Sequence, residues 1–493
     1  MRFYMPQTSA SFRSDLQDSD DSISLSEIIS ALSYALDLTE GAVHGHALRS
    51  CLLGMRIAAE AELSSDQTSS LYFALLLKDV GCSSNASRVC QIVGSNDRVV
   101  KTGVRYVDWT RPGLSTVKLI WKNVLPDYGA AAHVARILRV GGTQPMNYEE
   151  ITDGRGDRGA SILGKLGMGD VAAQAVHSLN EHWDGSGQPE RRQREQIPLL
   201  SRICAIAQHL DMFSSSRGVD KAIETLKQRS GTWFDPDLVR VAVSLHRRGA
   251  LWANCAPDDS QDDTRQAVLD LDPGRKHQLE AGRIDHICAA FADVVDAKSN
   301  FTFRHSLGVA DAAFGIATAL HLSAERAQLV RRTALLHDIG KLSVSNSILD
   351  KTGTLDAEEW KTIRLHPGLT RSILELVGPF REMAVIAGEH HEKLDGSGYP
   401  NRLMAPELSL ESRIIAVADV YSALSEDRPY RASLDLDEIV SIMTKIVPDK
   451  LDAVCFDALV STVSSSSSGL MMPPSMIDTG SAADSESPTS AFA

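Results

Sequence analysis

The chain contains one pattern twice. Ser201-Arg202-Ile203-Cys204-Ala205-Ile206-Ala207 matches Ser412-Arg413-Ile414-Ile415-Ala416-Val417-Ala418 at an offset of 211 residues. Asp184-Gly185-Ser186-Gly187 matches Asp395-Gly396-Ser397-Gly398 at that same offset, and Ser161-Ile162-Leu163 matches Ser372-Ile373-Leu374. Further upstream the register changes to 259: His46 pairs with His305, Leu63-Ser64 with Leu322-Ser323, and Asp79 with Asp338. Blocks that share an offset report a duplicated domain. The offsets differ by 48, so the first copy carries an insertion of that size between Cys82 and about Thr152, holding the Trp109–Asp127 stretch.

Helical periodicity dominates both copies. In Leu307–Leu320, the apolar residues Leu307, Val309, Ala310, Ala313, Phe314, Ile316 and Ala317 recur in steps of three and four. Residues 325–337, 369–377, 383–391, 410–424 and 437–447 follow the same rule, and strand signals are short and few. An all-α fold is expected, with two helical bundle domains in tandem. The expected divisions are a disordered polar arm at 1–22, a first domain at 23–253 with its insertion near 83–152, and an acidic linker at 254–274. A second domain at 275–461 and a Ser-rich disordered tail at 462–493 complete the chain.

Charge and cysteine usage narrow the function classes. A net charge of −14 argues against non-specific binding to nucleic acid or to an anionic membrane. The seven cysteines are scattered, odd in number and form no Cys-x-x-Cys, which suits a reducing compartment. No apolar run reaches the roughly 18 residues of a membrane span, and no signal segment opens the chain. A cytoplasmic protein is expected.

Chemistry concentrates in the second copy. Its His and Asp residues run His305, His337-Asp338, His366, His390-His391, Asp395, Asp419. Imidazoles and carboxylates suit borderline divalent metals, and a carboxylate can bridge two of them. Asp419 lies inside the apolar run Ile414–Val420, where an unpaired charge is costly. Any one of these histidines could be a satisfied core residue; the ordered set, with its His-Asp doublet, is poorly explained that way.

His305, His337-Asp338 and Asp419 resemble the metal-dependent HD phosphohydrolase superfamily. More narrowly, His337-Asp338-Ile339-Gly340-Lys341, His390-His391-Glu392-Lys393-Leu394-Asp395-Gly396-Ser397-Gly398-Tyr399-Pro400 and Arg428-Pro429-Tyr430-Arg431 are similar to the HD-GYP family, bacterial phosphodiesterases that hydrolyse cyclic di-GMP. The resemblance implies one divalent ion held by His305, His337, Asp338 and Asp419. It implies a second held by Asp338, His366, His390 and His391, with Asp338 bridging and a shared hydroxide attacking phosphorus. Iron or manganese is the expected metal. Lys341, Arg428 and Arg431 are the implied phosphate contacts and Tyr399 a further substrate contact, with Asp338 and Lys341 central to catalysis. The same resemblance makes the Gly-Tyr-Pro loop a contact surface for diguanylate cyclase domains, and a homodimer is among the assemblies it leaves open.

Three departures qualify this picture. Phe301 stands where three-metal relatives carry a glutamate, which favours two ions. Ser422 occupies a position often acidic in relatives, and Arg402 replaces the usual glycine after the loop, putting its conformation in question. Carried back through the offsets, the ligand set decays. His305 and Asp338 keep His46 and Asp79, but His337 becomes Lys78, Lys341 becomes Cys82, His366 becomes Arg155, His390-His391 becomes Leu179-Asn180, and Asp419 becomes Gln208. The first copy is expected to keep the scaffold without the chemistry, with Lys78 neutralising Asp79. The competing classes are a silent nucleotide-sensing or docking module and a phosphohydrolase acting on another phosphoester. The full ligand set in the second copy favours the phosphodiesterase.

Overall fold

The structure, a computed structural model, describes residues 24–93, 101, 103, 106, 144–273, 281–299, 304–426 and 433–467. Phe301, Arg428, Arg431, the Trp109–Asp127 stretch, the 1–22 arm and residues 468–493 lie outside the described residues. The described chain is helical throughout; its only β pairings are two isolated bridges, Ser230 with Phe234 and Asp395 with Met404.

Six helices recur in the two copies. In the first these are α1 (Leu25–Glu40), α2 (His46–Ala58), α3 (Ser65–Leu77), α4 (Gln144–Lys165), α5 (Gly169–His177) and α6 (Leu199–Arg217). After α7 (Gln261–Asp270), the second copy runs α8 (Ala281–Asp296), α9 (His305–Ala319), α10 (Ala324–Leu336), α11 (His366–Leu374), α12 (Arg381–Gly388), α13 (Leu410–Ser425) and α14 (Ala453–Ser467).

The repeated residues do the same structural work in both places. Ser64 caps α3 through its hydroxyl, accepting from Gln67 N, and Ser323 caps α10 by accepting from Arg326 N. Asp37 accepts from Ala47 N at the start of α2, and Asp296 accepts from Ser306 N at the start of α9. A Cβ at Gly81 would lie 2.1 Å from Arg155 O, and one at Gly340 would lie 2.1 Å from His366 O. Only glycine permits that approach, so both copies seat the turn after the Asp directly on the following helix.

The first helix of each copy also crosses to the other. Helix α1 packs on the 339–343 turn and on α11, while α8 packs on the 80–83 turn and on α4. The arrangement is a pseudo-two-fold exchange, with Lys165 of α4 paired to Asp293 of α8 at its edge. Ile28, Ile29, Leu32 and Leu36 of α1 are fully buried, each worth about 1.5–3 kcal/mol of apolar transfer.

Two expectations about chain divisions change. Within the stretch read as an acidic linker, residues 261–270 form α7, capped by Ser260 and packed on α1 and α2. Its buried Thr264 and Val268 stand four residues apart, a one-sided apolar stripe that the surrounding aspartates obscure in the sequence. Helix α14 continues to Ser467, beyond the expected boundary at 461. Among the described residues no helix is long and apolar enough to cross a membrane.

Candidate metal centre

The site forms where helices end. His337 is the C-cap of α10 and Asp338 follows it; His390 and His391 lie just past the end of α12. His305 opens α9, His366 opens α11, and Asp419 projects from within α13. Residues far apart in sequence converge because α9 packs between α10 and α13, while α11 packs on the 339–343 turn and on α12.

Asp338 is the centre of the arrangement. Its Oδ2 lies 3.2 Å from His337 Nε2 and 3.8 Å from His305 Nε2. Its Oδ1 lies 3.3 Å from His366 Nε2 and 3.7 Å from His390 Nε2. Asp419 Oδ1 reaches His305 Nε2 at 3.3 Å and His337 Nε2 at 3.9 Å, and its Oδ2 lies 3.6 Å from His391 Nδ1. The carboxylate of Asp338 thus divides the donors, with His305, His337 and Asp419 on one side and His366, His390 and His391 on the other.

Hydrogen bonds fix which imidazole nitrogen faces the centre. His337, His366 and His390 each place Nδ1 2.5–2.6 Å from the carbonyl three residues earlier, Ala334, Ile363 and Ala387 respectively. A carbonyl only accepts, so Nδ1 carries the proton and each Nε2 lone pair points inward. Thr370 braces the same region: its hydroxyl donates to His337 O and accepts from Gly340 N, both at 3.0 Å.

Burial and charge set the protonation states. Burial lowers the His390 imidazole to about 3, helped by the neighbouring His337 and His366. Burial also lowers His366 and holds His391 well below the ordinary range, so these three are neutral and available as donors. For His305, burial opposes charging, but the Asp419 and Glu426 carboxylates outweigh it and raise the imidazolium to about 9. Asp338 and Asp419 are held far below the usual carboxylate range, burial being overcome by the surrounding imidazoles and, at Asp338, also by Lys341.

This donor set fits divalent metal. His337 Nε2 and Asp338 Oδ1 are sealed from solvent without a hydrogen bond of good geometry, leaving them as donors that a cation would satisfy. The two groups His305–His337–Asp338 and His366–His390–His391 each bring donor atoms within 4.8 Å of one another.

A cavity of about 660 Å³ opens onto the centre, lined in part by Asp338, Lys341, Lys351, Trp360, His366, His391 and Tyr399. Lys341 Nζ sits 2.5 Å from Asp338 Oδ2. The Tyr399 ring lies against His391, with ring centroids 4.8 Å apart, and Arg364 sits over its face at 5.4 Å. The loop carrying Tyr399 is anchored by Glu392, whose carboxylate accepts from Asn401 N at 2.6 Å and Leu403 N at 3.1 Å. Arg402 takes the left-handed conformation, φ 59°, that a glycine would occupy without cost, and its first-copy counterpart Arg191 does the same at φ 57°.

Sequence reasoning missed Trp360, Arg364, Lys351 and the anchoring role of Glu392. For Arg364 and Trp360 the available signal was their position two and six residues before His366. Arg428 and Arg431 remain outside the described residues.

The equivalent place in the first copy is filled by fixed cations. Lys78 Nζ lies 2.6 Å from Asp79 Oδ2, and Arg155 Nη2 lies 2.8 Å from Asp79 Oδ1. Each thus meets one of the two carboxylate oxygens whose counterparts on Asp338 face the two histidine groups. The other nearby histidines have different company: His44 stacks on Tyr34, His182 stacks on Trp233, His177 meets Asp157, and His209 Nδ1 meets Ala205 O.

Comparison with known proteins identifies the family. The family model described as HD domain matches residues 144–238 and 289–454. The chain is 40% identical over 436 residues to the 3'3'-cGAMP-specific phosphodiesterase 3 of Vibrio cholerae serotype O1, covering 88% of this chain and 94% of that protein. A crystal structure of a cyclic GMP-AMP-specific phosphodiesterase from V. cholerae superposes with a TM-score of 0.61 at 36% identity, covering 90% of this chain and 98% of the other. The cyclic di-GMP phosphodiesterase response regulator RpfG of Xanthomonas campestris is 37% identical over 147 residues, 29% of this chain and 39% of that protein. With the His-Asp doublet, the Gly-Tyr-Pro loop and the duplicated bundle in view, the chain belongs to the HD domain family as a tandem member of its HD-GYP branch.

Proposed function

We propose that the chain is a metal-dependent cyclic dinucleotide phosphodiesterase acting through its second copy, with 3'3'-cGAMP as its substrate. The observation that carries this reading is the partition of four imidazoles around the two oxygens of Asp338, with Asp419 and His391 beside them, at the floor of a cavity large enough for a small-molecule ligand. The substrate differs from the cyclic di-GMP expected above, because the relative matched along almost its whole length is named as specific for 3'3'-cGAMP.

His305, His337, Asp338 and Asp419 would hold one divalent ion and Asp338, His366, His390 and His391 a second, with iron or manganese suited to this mixed donor set. Two such ions would supply Lewis acidity at phosphorus and lower the pKa of a water between them. The remaining work falls to the protein. Lys341, on the cavity wall, places an ammonium where the phosphodiester must lie to reach the centre. Tyr399, pinned by His391 and Arg364, offers a flat face to the substrate, and Arg428 and Arg431 are the remaining phosphate contacts of the reading.

The test is turnover of 3'3'-cGAMP and cyclic di-GMP side by side, with Mn²⁺ or anaerobic Fe²⁺, against a variant carrying His337→Ala and Asp338→Ala. Faster hydrolysis of 3'3'-cGAMP by the wild type alone is expected. Turnover of neither by metal-loaded protein would overturn the activity, and a preference for cyclic di-GMP would overturn the substrate.

A further inference from the structure

We infer that Glu426 is the positioning residue for His305, and that the two copies carry one orienting device with its carboxylate moved by a helical turn. The inference rests on the metal reading of the second-copy site.

In the first copy, His46 Nδ1 lies 2.6 Å from Asp211 Oδ2. Arg49 holds the same carboxylate, with Nε 2.5 Å from Oδ1, and the Ser215 hydroxyl lies 3.4 Å from that oxygen. The repeat offsets carry these residues to the second copy: His46 to His305, Arg49 to Gly308, Asp211 to Ser422, and Ser215 to Glu426. An Arg, Asp, Ser trio has become Gly, Ser, Glu.

The geometry shows the exchange to be coupled. His305 Nδ1 lies 3.0 Å and 3.2 Å from the two Glu426 oxygens, and the Ser422 hydroxyl donates to Glu426 Oε1 at 2.7 Å. A Cβ at Gly308 would come within 2.8 Å of Ser422 Oγ and 3.6 Å of Glu426 Oε1. The bare backbone at 308 leaves room for the Ser422 hydroxyl, which holds the longer glutamate folded back from the end of α13. In both copies the result is the same: a carboxylate accepts from Nδ1–H and turns Nε2 of the α2 or α9 histidine toward the Asp of the doublet.

This matters only where Nε2 has a ligand to meet. His337, His366 and His390 are aimed by backbone carbonyls, which no substitution removes. His305, at the N-terminal end of its helix, is aimed by a side chain instead. Removing such a partner weakens metal affinity by about 10–100-fold in metal sites generally.

The experiment compares metal affinity in the purified full chain, measured by competition of Mn²⁺ with a chelator, for wild type, Glu426→Ala and the double variant Ser422→Asp with Glu426→Ser. Thermal unfolding of each accompanies it. Glu426→Ala is expected to weaken one of two Mn²⁺ sites by about 10–100-fold. The double variant rebuilds the first-copy placement and is expected to recover affinity close to wild type. Unchanged affinity in folded Glu426→Ala overturns the inference, as does a folded double variant that binds as weakly as Glu426→Ala. If Glu426→Ala fails to fold, the double variant decides alone: near-wild-type affinity supports the inference and a tenfold or greater loss overturns it. A wild-type chain that holds no metal overturns the metal reading and this inference with it, an outcome distinct from the others.

Discussion

The ammonium of Lys78 lies 2.6 Å from Asp79 Oδ2 in the first copy, both side chains fully buried, where the second copy sets His337 against Asp338. With Arg155 on Oδ1, the buried carboxylate meets two protein cations. Removing one partner of a buried ion pair strands the other, at a cost of about 3–5 kcal/mol. Lys78→Met is therefore expected to lower the thermal midpoint markedly while leaving metal content unchanged. Calorimetry together with metal analysis of the variant checks both halves.

Lys341 faces both the cavity and Asp338. If it stabilises charge developing on the phosphodiester, Lys341→Met should lower kcat by about 10²–10³-fold, the range seen for loss of one preorganised electrostatic contact. Metal content should stay at the wild-type level. Steady-state kinetics on 3'3'-cGAMP beside metal analysis separates this from a simple loss of the centre.

Gly340 and Gly81 offer a matched pair. A methyl group at either would press on a backbone carbonyl at 2.1 Å, that of His366 or of Arg155. Each alanine variant should cost about 1–3 kcal/mol through overpacking. Only Gly340→Ala displaces a candidate ligand, so it alone should lose metal and activity, read from metal analysis and turnover; Gly81→Ala should lose stability, read from thermal unfolding, and keep both.

The pH dependence of stability has a local handle in Asp37. Burial raises its carboxyl from 3.8 to about 7, Lys78 and Arg49 opposing and Asp79 reinforcing the shift. Between those values the folded chain holds a proton that the unfolded chain has lost, so this residue's contribution to stability falls as pH rises through that window. Asp37→Asn removes that slope. His46, lowered to about 4 by burial and by Lys78, contributes in the opposite sense: its part is lost as pH falls from 6.5 toward 4. The variant should therefore gain on the wild type as pH rises from about 5 to about 8, read from thermal midpoints across that range.

Much of this protein was legible in its sequence. The duplication, the helical class and the choice of donors are local matters, recorded in block matches, periodicity and residue type. Ser64 and Ser323 cap helices because of their own hydroxyls, and Gly81 and Gly340 recur because no side chain fits there. Helix α7 reads as linker in the sequence because its two buried residues, Thr264 and Val268, are a thin stripe among aspartates, and only the presence of α1 and α2 gives that stripe something to cover.

The sequence by itself determined that the second copy holds a donor set and that the first has lost it. Which oxygen of Asp338 meets which imidazole was decided by tertiary structure, since His305, His366 and His390 are brought to it by packing across long sequence separations. The same holds for Arg155 taking the place of a histidine at Asp79, and for Glu426 reaching His305 over a glycine on another helix. A spacing pattern records how a residue sits on its own helix; the partner it meets depends on how helices cross, and that follows from burial of the whole core.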